Sequence, residues 1–238
     1  MICFLTSSTT VADANILNPE NHFVDELRQW FPSECRALFV CSDPDYYEIT
    51  DSYAFAMKSS FEEAGFKFMN FTVLDNRNHL HSAQLVRESN VIILAGGHVP
   101  TQNQFFEKIQ LKEILQGYNG VLIGISAGSM NSADIVYAQP ELAGETLDPS
   151  YQRFLKGLGL TKIMILPHYE TLKNESLDGQ RVIEDITYSD SYGHIFYLIP
   201  DGSYLFIKSG IEELRGEAYV VKDATLTQIS KQGEVVLL

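Results

Sequence analysis

Hydrophobic positions along the chain gather into short runs separated by longer mixed segments. The runs are Ile2–Leu5, Ala37–Cys41, Phe66–Val73, Val91–Leu94, Gly120–Ile125 and Ile163–Leu166. Several are continuous rather than alternating, which is the pattern of strands buried on both faces. Between them lie helical candidates. Residues 21–31 place Phe23, Leu27 and Trp30 on one face. Residues 51–64 bring Phe55, Met57, Phe61 and Ala64 near one stripe and end at Gly65, a residue suited to the position just past a helix. Residues 79–89 and 102–116 are two more, the second ending at Gly117. Strand–helix–strand alternation predicts a parallel sheet with helices on both faces.

The last forty or so residues change character. Ile195–Ile199, Tyr204–Ile207, Ala218–Val221, Leu226–Ile229 and Val235–Leu238 are short and closely spaced. Pro200-Asp201-Gly202, Lys208-Ser209-Gly210 and Lys231-Gln232-Gly233 are turn signals between several of them. This predicts antiparallel hairpins appended to the parallel core. With no internal repeat, low-complexity tract or linker, residues 1–238 read as a single α/β domain, with 195–238 a β-hairpin extension packed on its core.

Length and composition agree. A chain of 238 residues suits one α/β domain. At 45% hydrophobic and 20% charged residues, disordered and fibrous classes are excluded. Seventeen basic against 31 acidic residues leave a formal charge of −14, the wrong sign for gripping nucleic acid or an anionic membrane. No apolar run nears the ~20 residues that span a bilayer. The opening Met1-Ile-Cys-Phe-Leu-Thr-Ser is too short and uncharged for a signal peptide and reads as a first strand. The cysteines Cys3, Cys35 and Cys41 are odd in number, contain no CxxC pair and have no histidine at ligand spacing. They read as small buried hydrophobes in a reducing, cytoplasmic setting rather than as disulfides or zinc ligands.

The chemistry concentrates at Gly124-Ile125-Ser126-Ala127-Gly128, directly after the apolar run that begins at Gly120. This is G-x-S-x-G where a strand turns sharply into a helix, the context of a nucleophile elbow. Ser126 would project from the carboxyl edge of the sheet, and the N–H of Ala127 would face a developing oxyanion. A second glycine pair, Gly96-Gly97, ends the strand at Val91–Leu94 and can bring the Gly97 N–H beside the serine. His98 follows, either lining the pocket against substrate or capping the turn. A serine nucleophile needs a base. Of the six histidines, His22, His79, His81 and His194 fit surface or strand-capping roles. His168 stands immediately past the buried strand Ile163–Leu166, at the sheet edge expected for Ser126. The carboxylate that would orient it stays open from spacing alone among Asp134, Glu141, Glu145, Asp148, Glu170 and Glu175.

Gly124-Ile-Ser-Ala-Gly-Ser, the upstream Ala-Gly-Gly-His and the downstream Leu-Pro-His-Tyr resemble the peptidase E family of serine peptidases, which includes aspartyl dipeptidases and cyanophycinases. The resemblance extends from Gly96-Gly97 to about Arg181. It implies a flavodoxin-like, class I glutamine amidotransferase-like α/β fold. It further implies Ser126 as nucleophile, His168 as base, Glu141 as the acidic member with Glu145 as the alternative, and oxyanion donors at Gly97 and Ala127. The implied reaction is hydrolysis of a short peptide through an acyl-enzyme, with no metal or organic cofactor. The expected partner is a small peptide substrate, not nucleic acid or membrane, and a homodimer stays open. Two departures stand out: His98 occupies the place of the family's usual asparagine, and no arginine in 171–178 matches the basic residue of the aspartyl dipeptidases, leaving Lys173 by charge only. Two rival readings are an α/β-hydrolase esterase, which shares the Ser–acid–His order, and a catalytically inactive relative that binds peptide.

Overall fold

The computed structural model describes residues 1–12 and 14–238. The first half carries strands β1 (Ile2–Thr6), β2 (Cys35–Val40), β3 (Phe68–Leu74), β4 (Val91–Leu94) and β5 (Val121–Ile125). Among them run helices α1 (Phe23–Trp30), α2 (Tyr47–Glu63), α3 (Ser82–Glu88), α4 (Val99–Lys108) and α5 (Leu111–Ile114). Then come α6 (Ala127–Met130), β6 (Ile135–Tyr137), β7 (Phe154–Lys156), β8 (Met164–Leu166), α7 (Tyr169–Leu172), β9 (Ser176–Leu177), β10 (Gln180–Arg181) and α8 (Tyr188–Asp190). The chain closes with β11 (Ile195–Leu198), β12 (Tyr204–Lys208), β13 (Ile211–Arg215), β14 (Ala218–Lys222), β15 (Thr225–Ser230) and β16 (Val235–Leu237).

Among the described residues the main sheet runs β16-β13-β12-β1-β5-β4-β2-β3. Its strands β1, β5, β4, β2 and β3 are parallel. Both faces are covered, so alternate residues of each central strand enter different cores. Leu5, Leu38, Val40, Ile92, Leu94 and Leu122 pack one way, with Phe105 and Phe106 of α4. Phe4, Phe39, Ile93 and Ile123 pack the other, with Leu27 of α1 and Met57 and Phe61 of α2. This explains the continuous apolar runs, and each such side chain contributes about 1.5–3 kcal/mol by leaving water.

The carboxyl-terminal strands supply the expected antiparallel pairings. They divide between two sheets. The antiparallel partner of β1 is β12, with Phe4 opposite Phe206, and β13 and β16 continue outward from it. The fully buried Phe4 sets its ring 5.1 Å from Phe206 and edge-on to Phe23 at 5.8 Å, so aromatic packing fastens this edge. A second sheet runs β15-β14-β11-β8. Here β11 pairs parallel with β8 and antiparallel with β14.

Other departures from the sequence pattern have local causes. The stripe on α2 is Thr50, Ala54, Met57 and Phe61, at helical spacing, and Phe55 falls off it, 72% exposed. The helix expected over 102–116 starts earlier, at Val99, with Pro100 in the first turn where its missing N–H costs nothing. It breaks at Gln110, whose φ of +54° is left-handed. Strand β13 follows a two-residue turn at Ser209-Gly210, both at positive φ, as a tight hairpin requires.

Candidate active site

Ser126 sits between β5 and α6 with φ +48° and ψ −111°, a strained conformation for a residue with a side chain. The strain is held by pairing. Its N–H donates to the carbonyls of Thr6 and Ser7, both at 3.1 Å, at the end of the neighbouring β1. Ser129 Oγ ties α6 to the same edge, donating to the Thr6 carbonyl at 2.7 Å. Gly128 is needed for close approach, since a Cβ there would collide with the Leu94 carbonyl of β4. The turn thus brings Ser126 Oγ to the carboxyl edge of the sheet, half-buried.

His168 comes from the other sheet. The sequence places its strand in the same parallel set as Ser126, but β8 pairs with β11 instead. Its φ is +57°, so both Ser126 and His168 are in unusual backbone conformations. His168 Nε2 lies 3.0 Å from Ser126 Oγ. His168 Nδ1 lies 2.8 Å from Asp201 Oδ1. A carboxylate at Nδ1 selects the tautomer that carries its proton there, which leaves Nε2 to accept from the serine.

Ser7, fully buried at the end of β1, joins the three. Its hydroxyl donates to Asp201 Oδ1 at 2.6 Å and accepts the His168 backbone N–H at 2.8 Å, while its carbonyl holds the Ser126 N–H. Burial lowers the His168 pKa, but the hydrogen bond and charge of Asp201 outweigh it, so His168 ends above 6.5. Burial likewise opposes the charge of Asp201, and the hydrogen bonds from His168 and Ser7 reverse that, holding its carboxyl below the usual range.

The carboxylate on His168 is therefore that of Asp201, not Glu141 or Glu145. Glu141 lines a cavity of about 520 Å³ that also opens onto Ser126 and His168. It is solvent-accessible there but crowded by protein on its other sides, and this burial raises its pKa to about 7. Glu145 serves the loop instead, accepting the N–H groups of Glu141 and Leu142 at 2.8 and 3.0 Å. Its other oxygen meets His98 Nε2 at 2.8 Å. His98 Nδ1 is engaged by Thr101 Oγ1 at 2.8 Å. With both ring nitrogens occupied, and absent from the lining of either cavity at Ser126, His98 ties the loop to α4 rather than facing substrate.

The Gly96-Gly97 loop lies against the serine, and the position of a Cβ on Gly96 is 3.4 Å from Ser126 Cβ. Gly97 has φ +149°, and a side chain there would strike Ser42 Oγ. Neither the Gly97 nor the Ala127 N–H finds an acceptor among the described residues, so both are free to serve an oxyanion. A second cavity, about 410 Å³, opens between this loop and the end of β2. It lies where the order of the parallel strands reverses, between β2 and β4, the usual ligand crevice of such sheets.

Asp201 is the residue that sequence reasoning missed, because Pro200-Asp201-Gly202 reads as an ordinary turn. A signal was present: Ile165-Leu166-Pro167-His168 and Leu198-Ile199-Pro200-Asp201 share one pattern, an apolar strand end, a proline and then a side chain that meets the other at the sheet edge.

Comparison with known proteins agrees with this architecture. The model of peptidase family S51 matches residues 3–213. No curated protein matches the chain. Among solved structures, a peptidase from an acI-B1 Actinobacterium is similar at 16% identity and a TM-score of 0.60, over 100% of this chain and 96% of that one. A candidate peptidase E protein from Listeria monocytogenes EGD-e is similar at 18% identity and a TM-score of 0.58, over 96% and 98%. At these identities the two structures speak for the fold, and the family match carries the assignment: the chain belongs to peptidase family S51, the peptidase E family of serine-type hydrolases.

Proposed function

We propose that the chain hydrolyses short peptides through a Ser126–His168–Asp201 triad and an acyl-enzyme. The observation that carries this is the imidazole of His168, with Nε2 3.0 Å from Ser126 Oγ and Nδ1 2.8 Å from Asp201 Oδ1. Ser126 Oγ attacks the scissile carbonyl carbon while His168 Nε2 takes its proton. The N–H groups of Gly97 and Ala127 stabilise the oxyanion. As the tetrahedral intermediate collapses, His168 returns the proton to the leaving nitrogen. Water then adds to the ester with the same imidazole as base, and the carboxylic acid departs as Ser126 regains its proton. Asp201 stabilises the imidazolium formed in each half and stays ionised. Cavities of about 520 and 410 Å³ on the two sides of Ser126 suit a substrate of a few residues.

The test is a fluorophosphonate probe beside a panel of dipeptides and p-nitrophenyl esters. Labelling at Ser126, peptide turnover, and loss of both in Ser126→Ala are expected. Turnover of esters alone would favour the esterase, and a chain that binds peptide but neither labels nor turns over would favour the inactive relative.

A further inference from the structure

The two cavities at Ser126 differ in charge. The smaller includes Phe39, Tyr46, Ile49 and Tyr53 in its wall, with Asp43 as its acidic group. The larger has Glu141 and Glu175 in its wall and neither lysine nor arginine among the described residues lining it. The basic side chains of nearby segments are engaged elsewhere. Lys173 Nζ sits 5.8 Å from the centre of the Tyr169 ring, Arg181 pairs with Asp185 at 2.7 Å and Arg153 with Asp190 at 3.1 Å.

Two exposed carboxylates would ordinarily be a solvated rim. Here they stand in the cavity that the reactive serine faces, and Glu141 is held there by the bonds from its loop to Glu145 and from Glu145 to His98. Desolvation raises the Glu141 pKa to about 7, with the charges of Glu145 and Glu175 adding to it and the Val99 backbone N–H and His168 working against it. A second acid entering this cavity meets like charge from Glu141 and Glu175, and His168, already paired with Asp201, is the group of its lining that can carry positive charge. An ammonium group meets opposite charge.

We infer that the cleft selects peptides by positive charge at their amino end: the free ammonium group seats against Glu141 and Glu175, and an amino-terminal aspartate is disfavoured. This rests on reading Ser126 as the nucleophile of a peptidase.

The experiment compares Leu-Leu, Lys-Leu, Asp-Leu and N-acetyl-Leu-Leu as substrates of the wild type, and measures their binding to Ser126→Ala by calorimetry. Leu-Leu and Lys-Leu should exceed Asp-Leu and the acetylated peptide in kcat/KM by about 10- to 100-fold, the range of one hydrogen bond to a charged group. Affinities for Ser126→Ala should follow the same order. Glu141→Gln should compress the ratio of free to acetylated peptide about tenfold while a fluorophosphonate still labels Ser126. Asp-Leu cleaved as fast as Leu-Leu, or acetylation without effect on rate and affinity, overturns the selection and leaves a Ser126-dependent peptidase standing. If no peptide is cleaved and Ser126 takes no label, the peptidase reading fails, and calorimetry alone decides the selection. Equal affinities, or no binding of free-amine peptides at millimolar concentration, overturn it there.

Discussion

Asp201 reaches Nδ1 of His168 from the end of the strand that runs beside the one behind His168. Leu166 of β8 is paired with Leu198 of β11, and the Ile199 N–H donates to the Leu166 carbonyl at 2.9 Å. Each strand then meets a proline, which has no N–H to extend the ladder and so turns the chain out of the sheet. The two side chains emerge side by side, 33 residues apart in sequence and 2.8 Å apart in space. Two parallel strands thus present an imidazole and a carboxylate to a serine carried by another sheet.

Asp201→Asn should leave the fold intact and lower kcat by about three to four orders of magnitude, because an amide can hold the wrong imidazole tautomer. Glu141→Gln should not reproduce that loss. Steady-state kinetics on the two variants checks this, with circular dichroism to confirm folding.

The pH profile has a defined sign. His168 must be neutral to accept the serine proton, and Asp201 raises its pKa above 6.5. The kcat/KM of the wild type should therefore climb with pH through an apparent pKa above 6.5. Without the charge of Asp201, burial remains and disfavours the imidazolium, so in Asp201→Asn the acid limb should move to lower pH. A limb that stays in place would contradict this pairing.

Ser7→Ala removes the hydroxyl that binds both Asp201 and the His168 backbone. A hydrogen bond to a charged group is worth about 1.5–3 kcal/mol, so kcat should fall about 10- to 100-fold with KM little changed. Weaker holding of Asp201 should also be visible as a shifted acid limb, which a general loss of stability would not produce.

Two glycines can be separated by their effects. Gly128→Ala drives a methyl into the Leu94 carbonyl and should destabilise the fold by roughly 1–3 kcal/mol, read as a lowered Tm. Gly97→Ala meets Ser42 and forces an L-residue to φ +149°, displacing an oxyanion donor, and should cost about 10²–10³ in kcat. Each outcome is read by kinetics and thermal unfolding measured side by side.

Cys3, Cys35 and Cys41 are buried and free. Burial pushes the Cys3 and Cys35 thiols up to about 12 and Cys41 higher still. Native protein should resist iodoacetamide at pH 8, and the denatured chain should take up three labels, counted by mass spectrometry.

Much of the fold was legible because its signals are local. The run Val121–Ile125 followed by Ser126-Ala127-Gly128 states a buried strand, a corner and a helix within a few residues, and β5 and α6 form there. The run Ile163–Leu166 likewise announces a strand before His168. Asp201 was illegible by the same logic. Its turn signal is genuine, and what makes it a partner of His168 is the pairing of β11 with β8, which no local pattern encodes. Glu141 lies close in sequence to Ser126, but its loop, tied to Glu145 and His98, sets it in the wall of the cleft, while Nδ1 of His168 is met by Asp201.

The sequence by itself determined the alternation of buried strands and helices, the strained corner at Ser126 and the glycines that let it form, because these depend on periodicity and on the presence or absence of a Cβ. Only the tertiary structure decided which sheet each carboxyl-terminal strand joins, and so which carboxylate meets the imidazole and which faces the cleft. Strand pairing is a competition among distant segments of similar hydrophobicity, settled by the packing of the whole molecule rather than by any one stretch of it.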